Sequence, residues 1–516
     1  MKTITLLSVL PTITDSVVID GYTQPGSRAN TLAVGDNSVH FIELNGNSAV
    51  CGALVITAGN STVRGLVINR FNGNCANTAI LLRTGGNNKV EGCFLGLDAT
   101  GTMASTNRDY GVQIDSSPNN LIGGTTPAAR NVIAGNNTQI FIIGNTSSGT
   151  TIQGNYIGTN AAGDAPLSSG GVSQSVTGIS TINGDNSFSN TTIGGTTAGA
   201  RNVISGNASA NVNFFGSTGT GNLIQGNYIG INAAGTAGVA LSGYGIALTY
   251  SSNFIIGGAS PGARNVISGN SSGIYIAGNS NTPAANNLIQ GNLIGTNAAG
   301  TAAVGNGNGI VISGGGQNNT VGGLTDAARN LISGNANRGI AIQDNGNVVQ
   351  GNFIGTDITG TAKVGNLGDG IVVGGLYGLK TTGVTIGGTT AAARNVISGN
   401  GATGINLGEG ATLVQGNYIG TDGNGTGNLG NGTAGVGLSG DNSTIGGTGL
   451  GTANVIAFNG AAGPNNGDGV IVFGGFGDGR VSGLNNAILG NSIFSNGRLG
   501  INLYGGSGID NGFGVT

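Results

Sequence analysis

The chain has 516 residues, 107 of them glycine, and only 7% are charged, with a formal net charge of −3 and a single histidine. A nucleic-acid surface needs a concentrated basic footprint, and no run of Lys or Arg occurs; no apolar stretch approaches the roughly 18 residues of a membrane-spanning helix. Disorder is excluded too, because Ile, Val and Leu recur in register with Gly and Asn instead of being scarce and unpatterned.

The opening MKTITLLSVLPTITDSVVIDG starts as a secretory leader would, with Lys2 before a short apolar stretch. It lacks the small-residue cleavage site, and the same residues alternate as strand residues do into VVIDG. This segment is read as an ordinary first coil, and no signal peptide is evident. His40 follows in VHFIELNG, an early strand, and a lone histidine without acid–base partners reads as structural.

From about residue 45 the chain is periodic. GNYIGT-like phrases place Asn155, Asn227, Asn292, Asn352 and Asn417 at intervals of 60–72 residues, and ARNVISGN-like phrases place Arg130, Arg201, Arg264, Arg329 and Arg394 between them at 63–71. A fixed self-similar period of this kind means one supersecondary unit stacked on its copies. The unit 309–357 contains GIVI, NTVGG, RNLISGN, GIAI, NVVQ and NFIG, each too short for a helix and punctuated by Gly and Asn. Six strands divide into two coils of three, one compact and one expanded by two inserted loops. In GNYIG the Asn and Ile share one strand face and the aromatic takes the other. With Ile inside, Asn227 and Ile229 point in and Tyr228 out, and inward amides in successive coils satisfy one another as a column.

Two cysteines occupy equivalent corners of successive early coils, Cys51 before GALVI and Cys75 before ANTAILL. Such corners lie about 4.8 Å apart, within reach of a disulfide, which is expected here. Cys93 fills the Asn slot in GCFLG and is expected as an inward free thiol. No Cys/His spacing suggests a metal site, and no cofactor is expected.

The pattern GIxI…NNxIxGNxIxxN resembles the parallel β-helix repeat of bacterial right-handed β-helix proteins, which share the pectate-lyase-like superfold, over about residues 45–504. The resemblance implies an all-β, right-handed parallel β-helix solenoid with three short strands per coil and alternating compact and loop-bearing expanded coils. It would form a single domain over 1–516, with irregular first coils at 1–44, regular repeats at 45–504 and a C-terminal end at 505–516. The double-coil form is similar to that of large secreted or surface-attached bacterial proteins, which implies an extracellular or cell-surface location. Activity does not follow from this fold. The GHG segment of pectin hydrolases and the DPHE-like segment of alginate epimerases are both missing.

The remaining polar residues give three sets of candidates. Arg108, Asp109 and Asp115 flank Tyr110 in the densest charged cluster and are the place to look for catalysis. Asp98, Asp357 and Asp422 share one loop position with Asn160, Asn232 and Asn297. That exchange suits a side-chain oxygen bonding its own turn, with weak Ca²⁺ binding as the alternative. The outward Arg row (Arg130, Arg201, Arg264, Arg329, Arg394) could meet an anionic polysaccharide or tie down the loop before it. The outward aromatic row (Tyr156, Tyr228, Phe353, Tyr418, broken by Leu293) could stack on sugars or pack beneath an inserted loop. The reading is a non-catalytic extracellular or cell-surface structural or adhesion module contacting polysaccharide or other surface glycans. The alternatives are a polysaccharide lyase or glycoside hydrolase on the same fold, and a self-associating fibre or spike, since a solenoid end exposes strand edges for end-to-end or lateral association.

Overall fold

The computed structural model describes residues 1–75, 77–167, 176–181, 187–239, 243–374, 380–460, 467–474, 483–505 and 509–510. Most of the expected C-terminal end at 505–516 therefore lies outside the described residues. Two compact units are present, one of Met1–Gly257 with Pro261–Ser271 and one of Gly258–Ser260 with Ser272–Thr516. Among the described residues no helix is long and apolar enough to cross a membrane.

In the first unit the strands cycle through three parallel sheets, as the alternation of Gly-bounded apolar segments demands. Leu121–Gly123, Val132–Ile133 and Thr138–Ile143 make one coil, and each pairs in parallel with its successor in Thr151–Gln153, Tyr156–Ile157 and Thr177–Thr181. The opening strand Lys2–Thr5 pairs residue for residue with Ile42–Asn45, so the first residues are part of the helix. Cys51 and Cys75 form a disulfide with Cα atoms 5.7 Å apart. Cys93 is buried and free, and desolvation pushes its thiol up to about 12.

The second unit repeats the scheme. The six segments read between 309 and 357 are the strands Asn308–Ser313, Thr320–Gly322, Leu331–Ile332, Ile340–Ile342, Val348–Gln350 and Phe353–Ile354, paired as Ile310 with Ile340, Val321 with Val349 and Ile332 with Ile354. Ile332, Ile354 and Ile397 form one fully buried column although the first two are separated by a compact coil and the last two by an expanded one. The extra residues therefore leave the interior unchanged and go into surface loops.

Inward amides form the expected column, in which asparagines of the GN and RN phrases alternate. In the first unit Nδ2 of Asn131, Asn155 and Asn202 donates to Oδ1 of Asn155, Asn202 and Asn227 at 2.9, 3.1 and 2.9 Å. Cys93, in the same slot, donates its backbone N–H to Asn131 Oδ1 at 2.9 Å. The second unit carries the same ladder through Asn330, Asn352, Asn395 and Asn417, plus one the sequence reading missed, through Asn306, Asn335, Asn366, Asn400, Asn431 and Asn459. The amides of these ladders are tolerated in the interior because each Nδ2 finds an amide oxygen one coil away.

Candidate functional site

The predicted Arg and aromatic rows are one feature. In each ARN phrase a short 3-10 turn, such as Ala391–Ala393, ends at an extended arginine with φ −61° and ψ 125°, and the next residue is the inward ladder asparagine. That turns the arginine outward, over the aromatic residue of the following coil. The guanidinium carbon lies 4.4 Å from the Tyr156 ring centroid for Arg130, 4.2 Å from Tyr228 for Arg201, 4.3 Å from Phe353 for Arg329 and 4.1 Å from Tyr418 for Arg394. These are cation–π distances. A glycine of the inserted loop approaches the same ring so closely that a Cβ on Gly163, Gly360 or Gly425 would lie 2.8, 2.8 or 2.7 Å from it. In the first unit Tyr156 belongs to a satellite apolar cluster with Phe94, Val132, Ala161 and Val203. Arg264 is half-buried in the first unit, and Leu293 is buried in the second.

Arg130 differs from the others in what it holds. Its guanidinium donates to the carbonyls of Leu32 at 3.1 Å, of Ala33 at 2.8 Å and of Gly35, while the Gly35 N–H donates to the Tyr156 hydroxyl at 2.8 Å. Nε of Arg130 and of Arg394 donates to Gly154 O and Gly416 O in the next coil. Arg130 and Arg394 thus tie down carbonyls, but those of the next coil and, for Arg130, of the 32–35 segment, not of the loop immediately before them.

The predicted acidic residues fall into separate environments. Asp98 Oδ1 accepts the backbone N–H of Thr102 and Met103, both at 3.0 Å, and Asp357 and Asp422 repeat this with Thr361 and Ala362 and with Thr426 and Gly427. Asn232 and Asn297 use their amide oxygen in the same way. Burial alone would raise the three carboxyls, but hydrogen bonds from loop hydroxyl, amide and backbone groups hold each below its ordinary 3.8. A folded value below the unfolded one means stabilisation that is complete above about pH 4 and lost as pH falls through the lower folded value. We expect the triple variant Asp98→Asn, Asp357→Asn, Asp422→Asn to melt within about 2 °C of the parent at neutral pH. The parent should lose more of its melting temperature than the variant between about pH 4 and pH 2, and parallel acid profiles would exclude this role.

Asp109 accepts from the backbone and side-chain nitrogens of Asn77 at 2.9 and 3.1 Å, and Asp115 pairs with Arg83 at 2.9 Å. They stand at opposite ends of the strand Tyr110–Asp115, Asp109 just before it and Asp115 its last residue, about 20 Å apart by strand rise. Arg108 is exposed, and Tyr110 stacks on Phe141 with ring centroids 4.6 Å apart. The strand therefore separates these candidates.

A concavity that sequence reasoning did not find lies in the second unit, on the outer face of the sheet containing Ile405–Leu407, Val436–Leu438, Val470–Phe473 and Ile501–Gly505. One outward row runs Asn406, Gly437, Ile471, Asn502 across these strands. Gly437 has no positive φ, and a Cβ there would meet nothing nearer than 3.7 Å, so the missing side chain makes the hollow. The trough has a volume of about 360 Å³. Thr403 and Thr433 share a 2.9 Å hydroxyl contact at one wall, and Phe473 and Tyr504 meet edge to face at 5.9 Å at the other. Two carboxylates orient the amides. Asp369 accepts from the Thr403 N–H at 2.9 Å and from Asn406 Nδ2 at 3.4 Å, and Asp468 from the Leu499 N–H at 3.1 Å and Asn502 Nδ2 at 2.9 Å, with Arg498 3.9 Å away. The signal that could have found it is the break in a strand slot elsewhere filled by Val311, Ala341 and Val372.

No family profile and no curated protein sequence matches the chain. Solved structures do match. The mannuronan C-5 epimerase AlgE4 A-module of Azotobacter vinelandii is 14% identical, with 83% of this chain and 89% of that one covered and a TM-score of 0.35. An alginate lyase from Paenibacillus sp. str. FPU-7 is 11% identical over 78% and 94%, with a TM-score of 0.27. PfbA, a surface adhesin of Streptococcus pneumoniae, is 14% identical over 95% and 94%, also with a TM-score of 0.27. The strand cycle, the parallel registers and the amide ladders define the chain as a parallel β-helix repeat protein.

Proposed function

We propose that this chain is a non-catalytic extracellular or cell-surface module that contacts polysaccharide through the trough over Gly437. The carrying observation is the composition of that trough: two oriented amides, two hydroxyls and an edge-to-face aromatic pair around a hollow, a mixture of polar and apolar surface that suits a sugar ring. It crosses strands about 4.8 Å apart, close to the advance of one pyranose along an extended glycan. The acids support binding over hydrolysis. Asp369 and Asp468 precede strands three steps apart, about 14 Å, which exceeds the roughly 5–9.5 Å that glycosidases need. The disulfide supports an oxidising compartment.

The test uses the hollow itself. Gly437→Val fills the trough from a position whose backbone accepts a side chain, and should reduce retention on a glycan array about tenfold or more with an unchanged melting temperature. Undiminished retention would defeat the proposal. A second reading, a polysaccharide lyase or hydrolase, draws on Asp468, Arg498 and Tyr504 lining one trough; release of reducing ends or unsaturated uronate from a polysaccharide panel would favour it.

A further inference from the structure

We propose that the cavity between Arg329 and Arg394 in the second unit is a binding site for the carboxylate of an acidic sugar. This extends the polysaccharide reading to a second surface, remote in residue content from the trough. The cavity has a volume of about 200 Å³ and is lined by both arginines together with Phe353, Thr359, Thr361 and Asn424.

The first unit supplies the precedent within the same chain. There the equivalent Arg130–Tyr156 pair holds the 32–35 segment, and three carbonyl oxygens converge on one guanidinium. In the second unit no described segment does this for Arg329 or Arg394. Arg394 uses Nε on Gly416 O and its plane on Tyr418, which leaves both terminal nitrogens without a protein acceptor among the described residues. Arg329 gives one terminal nitrogen to Asp326 at 2.7 Å, and its Nε is buried without a partner.

The nearby negative charges are already engaged. Asp326 is the partner of Arg329, and Asp357 accepts from the backbone of Thr361 and Ala362 and from the Thr359 hydroxyl. The two arginines precede strands two steps apart, about 10 Å, and each is held flat on a ring. An extended twofold polysaccharide presents alternate substituents on one side at a comparable interval. A planar guanidinium fork matches a carboxylate better than it matches a neutral hydroxyl. The Thr361 hydroxyl, shared with Thr359 at 2.6 Å, and Asn424, whose Nδ2 donates to Asp422 at 3.2 Å, complete the polar lining.

Titration calorimetry with a hexuronate trisaccharide, the corresponding neutral hexose trisaccharide and sodium sulfate tests the site on the whole chain. The hexuronate should bind, the neutral sugar and sulfate should bind at least about tenfold more weakly, and Arg394→Gln should weaken the hexuronate about tenfold. Asn424→Ala, which leaves both stacked arginines in place, should also weaken it if Arg394→Gln proves unstable. In the Gly437→Val background, where the trough is filled, the remaining hexuronate binding should still fall about tenfold on Arg394→Gln, so failure of the trough reading and failure of this one are separable. Equal binding of the neutral sugar, equal binding of sulfate, or hexuronate binding insensitive to Arg394→Gln and Asn424→Ala would each overturn the proposal.

Discussion

Replacing Asn352 by alanine should lower the stability of the second unit by about 3–5 kcal/mol in urea, with no change in mean secondary structure. Asn352 is fully buried, and its Nδ2 donates to Val321 O at 2.9 Å, Gln350 O at 3.0 Å and Asn395 Oδ1 at 3.0 Å, while its Oδ1 accepts from Asn330 Nδ2 at 2.9 Å. Truncation removes one donor group and one acceptor, so Val321 O, Asn330 Nδ2 and Asn395 Oδ1 each lose a hydrogen bond where water cannot reach. A buried polar group left short of a partner costs about 1–3 kcal/mol, and more than one is affected at once. Because repeat stability is a sum of units and nearest-neighbour interfaces, amide exchange should accelerate around Asn330 and Asn395 and remain unchanged around Asn454. A loss below about 1 kcal/mol would show that the ladder is decorative.

Gly360→Ala should cost about 2–4 kcal/mol, because Gly360 is buried against the ring beneath its surface loop. Gly360 has φ +72°, where a Cβ is strained, and the added carbon would sit 2.8 Å from the Phe353 ring. The ring cannot retreat, because the Arg329 guanidinium stacks on it at 4.3 Å. Gly437→Ala is the matched control, with ordinary φ and nothing nearer than 3.7 Å, and should change the melting temperature by about 2 °C or less. Equal effects at the two positions would mean that the loops do not clamp the aromatic residues.

What was legible in the sequence is what repeats within one strand. The GNYIG phrase carries the inward Asn–Ile and outward aromatic alternation in five residues, so strand faces and the amide column could be read directly. The Asp/Asn exchange at positions 98, 232, 297, 357 and 422 likewise carries its local turn chemistry on its face. The Arg–aromatic pairing was hidden because Arg329 and Phe353 come together only through the stacking of one coil on the next, and neither phrase contains the other's register. The alternation of RN and GN asparagines within one ladder was missed for the same reason. The trough was least visible, since Gly437 looks like any other glycine in a chain full of them and matters there for the side chain it lacks.

The ladder also bears on how such a chain can change length over evolutionary time. Excision of residues 330–394, one pair of coils, would bring Asn292 to face Asn395, which stands in the same RN phrase as the Asn330 it now meets at 3.0 Å. Unequal recombination between two copies of the phrase would therefore rejoin an amide column of the same kind, and descendants could gain or lose repeats without inventing a new interior.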